Sequence, residues 1–271
     1  RRSTMDKHQP IGVIDSGVGG LTVLKRLQKT LPHEDFLYLG DTARTPYGTR
    51  TREEIAAMVA QITDWLERHQ VKQVVVACNT ITVLGEATIR GKHPFHVIGM
   101  SKGANLVLPA SKKKKIGVFA TDFTVSTGAH KKAIQAVDPT AQVFAQGCRK
   151  FVPLIEGEKF GTPELKAAVK EYADILKKDG VDTVLLSCTH YPFVQDEVEK
   201  AFGPGVKVLD PAEETANNAR TDLEASGLTN DLTHAGHCTV CFTADLARAK
   251  RLAARMLDLS RCSFEQVDLL K

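Results

Sequence analysis

The sequence predicts an α/β fold built as two similar domains, each a mainly parallel sheet flanked by helices. Three observations carry the prediction. Short, continuous, β-branched apolar runs alternate with amphipathic helical segments, as in parallel sheets covered on both faces. A pair of strand motifs recurs: Ile116-Gly-Val-Phe-Ala-Thr121 echoes Ile11-Gly-Val-Ile-Asp-Ser16, and Val181-Asp-Thr-Val-Leu-Leu-Ser-Cys188 echoes Val71-Lys-Gln-Val-Val-Val-Ala-Cys78. The spacing is nearly kept, with 66 positions from Gly12 to Cys78 and 71 from Gly117 to Cys188.

In chain order, Ile11–Asp15 reads as a strand running into a Gly-rich turn, and Leu21, Leu24, Leu27 and Leu31 then recur at helical spacing. A second strand is predicted at 36–39. Ile55, Val59, Ile62 and Leu66 mark a longer amphipathic helix. Residues 74–77 read as a buried strand and His96–Ile98 as a short one. The lysine run 112–115 reads as a solvated connector before the repeat begins. In the second half, 206–210 matches the His96–Ile98 strand. The tail reads as a helix at 213–225, a strand at 238–243 and a helix at 245–257, the last with Leu246, Ala249, Leu252 and Met256 on one face. The expected organisation is residues 1–102 with a returning C-terminal segment 213–271 as one lobe, and 103–212 as a second α/β lobe.

The 271 residues accommodate two modest domains. Hydrophobic residues at 42% and charged residues at 25% argue against a disordered chain or a fibre. No uncharged apolar run approaches the roughly 18 residues of a membrane span, so no membrane partner is expected. A net charge of +4, dispersed along the chain, gives no reason to expect a nucleic-acid partner. Residues 1–10 lack the apolar core of a signal peptide. The expectation is a cytoplasmic, reducing location with all six cysteines as thiols.

Cys78 and Cys188 each end a buried strand and are followed by polar residues, Asn79-Thr80 and Thr189-His190. Ligands of open α/β sheets gather beyond the carboxyl ends of the strands, so the repeat predicts two thiols facing one active site in a cleft between the lobes. Two opposed, matched groups suit a 1,1-proton transfer at a stereocentre: one removes the proton from one face and the other returns a proton to the opposite face. Helices are expected to start just after both cysteines, where their positive ends favour thiolate. Asp15 and His190 are candidates to relay or orient protons. Cys238-Thr-Val-Cys241 reads as a strand rather than a redox or zinc loop, and no metal site is expected. Cys148 and Cys262 read as packing.

Two loops are candidates to hold an anionic substrate, each reading equally well, on its own residues, as an ordinary structural turn. Asp15-Ser-Gly-Val-Gly-Gly20 is a strand–turn–helix junction whose glycines let backbone N–H groups approach an anion. Gly40-Asp-Thr-Ala-Arg-Thr-Pro-Tyr-Gly48 is a dense polar loop stiffened by Pro46, with Tyr47 offering a hydroxyl. Thr121 and Thr124 stand at the corresponding strand end of the second half.

The segments IGVIDSGVGGLTVL, YLGDTARTPYGT, VVVACNT, FVPLIE and LLSCTHYPF run in order between Ile11 and Asp210 and resemble the successive motifs of the bacterial glutamate racemase family. That family lies within the cofactor-independent aspartate/glutamate racemase superfamily. The resemblance implies L- and D-glutamate as substrates, no cofactor, a role in supplying D-glutamate for peptidoglycan, and a homodimer. It implies Cys78 and Cys188 as the catalytic thiols, with Asp15, His190 and Glu156 assisting. Ser16, Pro46, Tyr47, Gly48, Asn79, Thr80, Thr121, Thr124 and Thr189 would contact substrate. Three positions depart from the family pattern: Lys102 where proline is frequent, His130 where tyrosine is common, and Phe242-Thr-Ala244 where a glycine is common. The nearest rival is an aspartate or hydantoin racemase on the same scaffold; a more distant one is a binding protein that kept the cleft.

Overall fold

The computed structural model describes residues 5–47, 50–84 and 89–271. The chain divides into two compact units, Arg1–Met100 with Thr215–Lys271, and Ser101–Glu214.

The first unit holds a six-stranded sheet. Its strands are β1 (Ile11–Asp15), β2 (Phe36–Gly40), β3 (Gln73–Val76), β4 (His96–Ile98), β9 (Cys238–Phe242) and β10 (Cys262–Gln266), in the order β10-β9-β2-β1-β3-β4. Every pairing is parallel. Strands β1, β2 and β3 are buried at every residue, which is why they read as unbroken apolar runs rather than alternating ones. Helix Arg52–Arg68 starts at a capping box in which the Thr51 hydroxyl accepts from Glu54 N–H and the Glu54 carboxylate accepts from Thr51 N–H. It buries Ile55, Val59, Ile62 and Leu66 against Val74 and Val76.

The tail adds β9 alongside β2, pairing Cys238 with Phe36 and Phe242 with Gly40. A buried ion pair ties it further. Lys72, wholly buried, donates to Glu34 at 2.5 Å and to the carbonyls of Lys7 and Leu228, while Glu34 accepts from Asn230 N–H at 2.8 Å. Burial lowers the Lys72 pKa against the opposing pull of Glu34. Removing one partner of such a pair costs about 3–5 kcal/mol, because the other charge is left in the interior.

The second unit holds β5 (Lys115–Ala120), β6 (Gln142–Gly147), β7 (Thr183–Leu186) and β8 (Lys207–Leu209) in the order β6-β5-β7-β8, again all parallel. This order repeats β2-β1-β3-β4 of the first unit. The repeat read in the sequence is therefore a repeat of topology, with β5 standing for β1 and β7 for β3. Register agrees: Gly12 sits beside Val74 and Gly117 beside Val184. The lysine run differs from its expected reading at one end, since Lys115 is the first residue of β5. Two strands, β6 and β10, escape the hydrophobic pattern because each is a sheet edge with polar, partly exposed positions. Among the described residues no helix is long and apolar enough to cross a membrane.

Candidate active site

Both candidate cysteines stand two residues beyond the end of a central strand, Cys78 after β3 and Cys188 after β7. The backbone leaves the two strands identically: Ala77 N–H donates to Ile14 C=O and Ser187 N–H to Phe119 C=O, each at 2.7 Å. Both thiols are nearly buried, Cys78 at 6% and Cys188 at 9% exposure.

Around Cys78 the chain turns into the helix Asn79–Leu84, and the sulfur receives the backbone N–H of Ile81 in the manner of a cap. Ser16 Oγ lies 3.7 Å from the sulfur. Burial, then the negative charge of Asp15, pushes the Cys78 thiol up to about 12, outweighing these hydrogen bonds. Cys78 is thus the protonated thiol at neutral pH. Asp15 is held on the Gly-rich turn: its Oδ2 accepts from Gly17 N–H at 3.1 Å and Gly20 N–H at 3.0 Å. The anion bound by these two amides is therefore Asp15 itself. A Cβ on Gly20 would come within 2.7 Å of the Asp15 Cβ and 2.9 Å of the Tyr38 hydroxyl, so this close approach requires glycine.

The second polar loop is organised by Asp41, fully buried at the end of β2. Its carboxylate accepts from Arg44 Nε at 2.7 Å, from the Thr243 hydroxyl at 2.8 Å and from the Tyr47 hydroxyl. Tyr47 is 1% exposed, and burial followed by the Asp41 charge drives its pKa far above the usual phenol range. The hydroxyl expected to face substrate holds the loop together in this structure. Gly48 lies outside the described residues.

In the second unit, Cys188 is followed by a turn and a 3-10 helix, Tyr191–Val194, and the α-helix Gln195–Phe202 starts only after that. The expected helix start directly after the cysteine exists at Cys78 but not at Cys188. Pro192 in the 3-10 segment removes a backbone donor there. Charge comes instead from side chains. His190 Nδ1 lies 4.0 Å from Cys188 Sγ, and Nε2 lies 2.7 Å from Glu156 Oε1. Glu156 ends the helix Phe151–Glu156, which brings it to His190 from 34 residues away in sequence. Burial acts to lower the His190 pKa, but hydrogen bonds and charge from Cys188 and Glu156 together raise it to about 10. His190 is an imidazolium at neutral pH. Thr121 caps the helix Asp122–Thr127 and donates its hydroxyl to Thr124 at 3.1 Å. Thr189 is buried beside Cys188, whereas Asn79 and Thr80 are half-buried.

Three residues of these loops were given no site role by the sequence. Asp41 lay inside a motif quoted only for its proline and tyrosine. Cys148, completely buried, follows β6 as Asp41 follows β2: Cys148 N–H donates to Ala120 C=O as Asp41 N–H does to Asp15 C=O. It lies within electrostatic reach of Cys188, and burial above all raises its pKa. Tyr191 is buried against it and donates to its carbonyl at 3.4 Å. Laying one half-sequence over the other would have flagged Cys148. The departures Lys102 and His130 are neighbours: burial, helped by the Lys102 charge, lowers the His130 pKa to about 4. For metal, Asp64, Glu67 and His93 hold ligand atoms within 4.8 Å of one another, but His93 Nδ1 already pairs with Glu67 at 2.8 Å on an otherwise exposed surface.

Residues 11–219 match the Asp/Glu/Hydantoin racemase family. A glutamate racemase of Lactiplantibacillus plantarum is 41% identical over 228 residues, covering 84% of each chain. The crystal structure of glutamate racemase isoform RacE1 from Bacillus anthracis superposes with a TM-score of 0.88 at 34% identity, covering 97% of this chain and 98% of that one. The Francisella tularensis glutamate racemase, solved in complex with D-glutamate, superposes with a TM-score of 0.81 at 29% identity, covering 97% and 98%.

Proposed function

The chain belongs to the Asp/Glu/Hydantoin racemase family and is an amino-acid racemase, and from that premise we propose that it interconverts L- and D-glutamate by a two-thiol, cofactor-independent 1,1-proton transfer. The observation that carries the mechanism is the equivalence of Cys78 and Cys188 at matching strand ends of two sheets with one strand order. Substrate choice rests on relatives named glutamate racemase, one of them solved with D-glutamate.

The chemistry divides as follows. One sulfur, as thiolate, takes the Cα proton; the other, as thiol, delivers a proton to the opposite face. The reverse reaction exchanges the roles. Cys78 is poised as a donor by burial and by Asp15. Beside Cys188, the His190 imidazolium supplies a positive group that exchanges a proton with the sulfur, and Glu156 orients it. Ser16, Pro46, Tyr47, Gly48, Asn79, Thr80, Thr121, Thr124 and Thr189 are proposed to surround the substrate, Tyr47 through the loop it stabilises. In the cell the product is D-glutamate for peptidoglycan, made in the cytoplasm by a homodimer.

The test is proton exchange in deuterium oxide, followed by NMR with L-glutamate, D-glutamate and both aspartates. Loss of the Cα proton signal from both glutamate enantiomers, with optical rotation decaying to zero and aspartate inert, is expected. Exchange restricted to aspartate would transfer the assignment to an aspartate racemase, and binding without exchange would overturn the catalytic reading.

A further inference from the structure

Two cysteines that racemisation does not use meet at the edge of the first unit's sheet. Cys238 opens β9 and Cys262 opens β10, and the two are direct partners in the parallel register. Each sulfur lies within electrostatic reach of the other, and the Cys262 thiol donates to Asp258 C=O at 3.4 Å. Adjacent strands lie about 4.7–4.9 Å apart, inside the roughly 4.4–6.8 Å Cα separation that a disulfide spans. Strand β10 is bonded on one side only, so it can close the remaining distance without disturbing a second neighbour.

We infer that Cys238 and Cys262 form a dithiol site that hydrogen peroxide converts to an intramolecular disulfide. The two cysteines have different parts. Cys262 is half-buried on the edge strand, whereas Cys238 is buried at 1% exposure beneath it. The neighbouring Cys238 thiol lowers the Cys262 pKa, against burial and the Asp258 charge, and Arg261 acts in the same direction. Cys262 is therefore the sulfur that meets the oxidant. Gln28 Nε2, 2.8 Å from Cys238 Sγ, fixes the inner sulfur in place.

The reaction balances in two steps. The Cys262 thiolate attacks one peroxide oxygen; an S–O bond forms, the O–O bond breaks, and the departing hydroxide takes up a proton to become water. Cys262 is then a sulfenic acid, oxidised by two electrons. The Cys238 sulfur attacks the Cys262 sulfur; the S–S bond forms, the S–O bond breaks, and the leaving hydroxide takes the Cys238 proton as a second water. The pair lies at the amino ends of the strands, whereas Cys78 lies beyond the carboxyl end of β3 in the same sheet. The disulfide thus fastens the tail without occupying the catalytic end.

The full chain is treated with graded hydrogen peroxide, digested under alkylating conditions and mapped by mass spectrometry. The expected result is a peptide pair joined through positions 238 and 262, two hydrogen masses lighter than its reduced components and released by dithiothreitol. In Cys238→Ser, Cys262 should be trapped by dimedone as the sulfenic acid. Cys262→Ser should give no cross-link and keep racemase activity within about twofold, which reports that it folds. A wild-type chain in which Cys262 stays reduced, or is oxidised without joining Cys238, overturns the inference.

Discussion

Cys78 and Cys188 leave their sheets by the same backbone geometry, yet the groups around them differ in charge. Near Cys78 stands a carboxylate, Asp15, carried by the last residue of β1. The equivalent last residue of β5 is Ala120, and the charge near Cys188 comes instead from His190 and Glu156. The same exchange occurs one strand over, where Asp41 of the first unit is matched by Cys148 of the second. A duplicated scaffold places the two sulfurs; the loops that follow it set the charge beside each. The proposed reaction runs both ways between mirror-image molecules and needs equivalent positions, but its two proposed proton carriers need not be electrostatic copies.

The largest expected effect comes from deleting either member. Cys78→Ala and Cys188→Ala should each lower the racemisation rate by about 10³-fold or more, with circular dichroism unchanged; near-normal turnover in either variant would break the pairing. Next is Glu156→Gln, expected to cost on the order of 10²-fold in kcat while KM moves little. It also has a pH signature. His190 is charged below about 10 because Glu156 and Cys188 outweigh burial, so a neutral partner lets the imidazolium lose its proton at lower pH, and the alkaline limb of the rate profile should shift down. The linked stability has the same sign: the contribution of charged His190 is full below about 6.5 and is lost as pH rises through about 10. Urea melts across that window should therefore converge for wild type and Glu156→Gln at the alkaline end.

A subtler comparison concerns Asp15→Asn, which keeps an oxygen for the Gly17 and Gly20 amides but removes the charge. The Cys78 pKa should fall, read as thiolate absorbance during an alkaline titration of a Cys188→Ser background. The smallest effect is expected from Tyr47→Phe. It removes a donor to the buried Asp41 carboxylate and should cost about 1.5–3 kcal/mol of stability in chemical denaturation, with the rate on glutamate lowered less than by any change above.

Much of this was legible in the sequence because buried parallel strands write themselves as apolar runs, and because duplication wrote them twice. Strands β1 and β3 and their counterparts β5 and β7 are of this kind. The edge strands β6 and β10 were not legible, since Gln142 and Gln146 leave only three apolar residues between them and Glu265 and Gln266 break up β10. At the site, Cys78, Cys188, Asp15 and His190 followed from strand ends and neighbours. The Glu156–His190 contact did not, because 34 residues separate the pair and only the folded second unit joins them. Nor did the inward turn of Tyr47, which depends on a buried carboxylate that looks, in sequence, like any polar loop residue.

The two-thiol assignment is tested most directly by the origin of the product's Cα hydrogen. L-Glutamate is converted in deuterium oxide and both enantiomers are analysed at low conversion. Two separate carriers predict D-glutamate with a solvent deuteron at Cα in essentially every molecule, and recovered L-glutamate that still carries protium. Product that retains the substrate's own proton would mean that one group removes and returns it, and would contradict the assignment of Cys78 and Cys188 as partners.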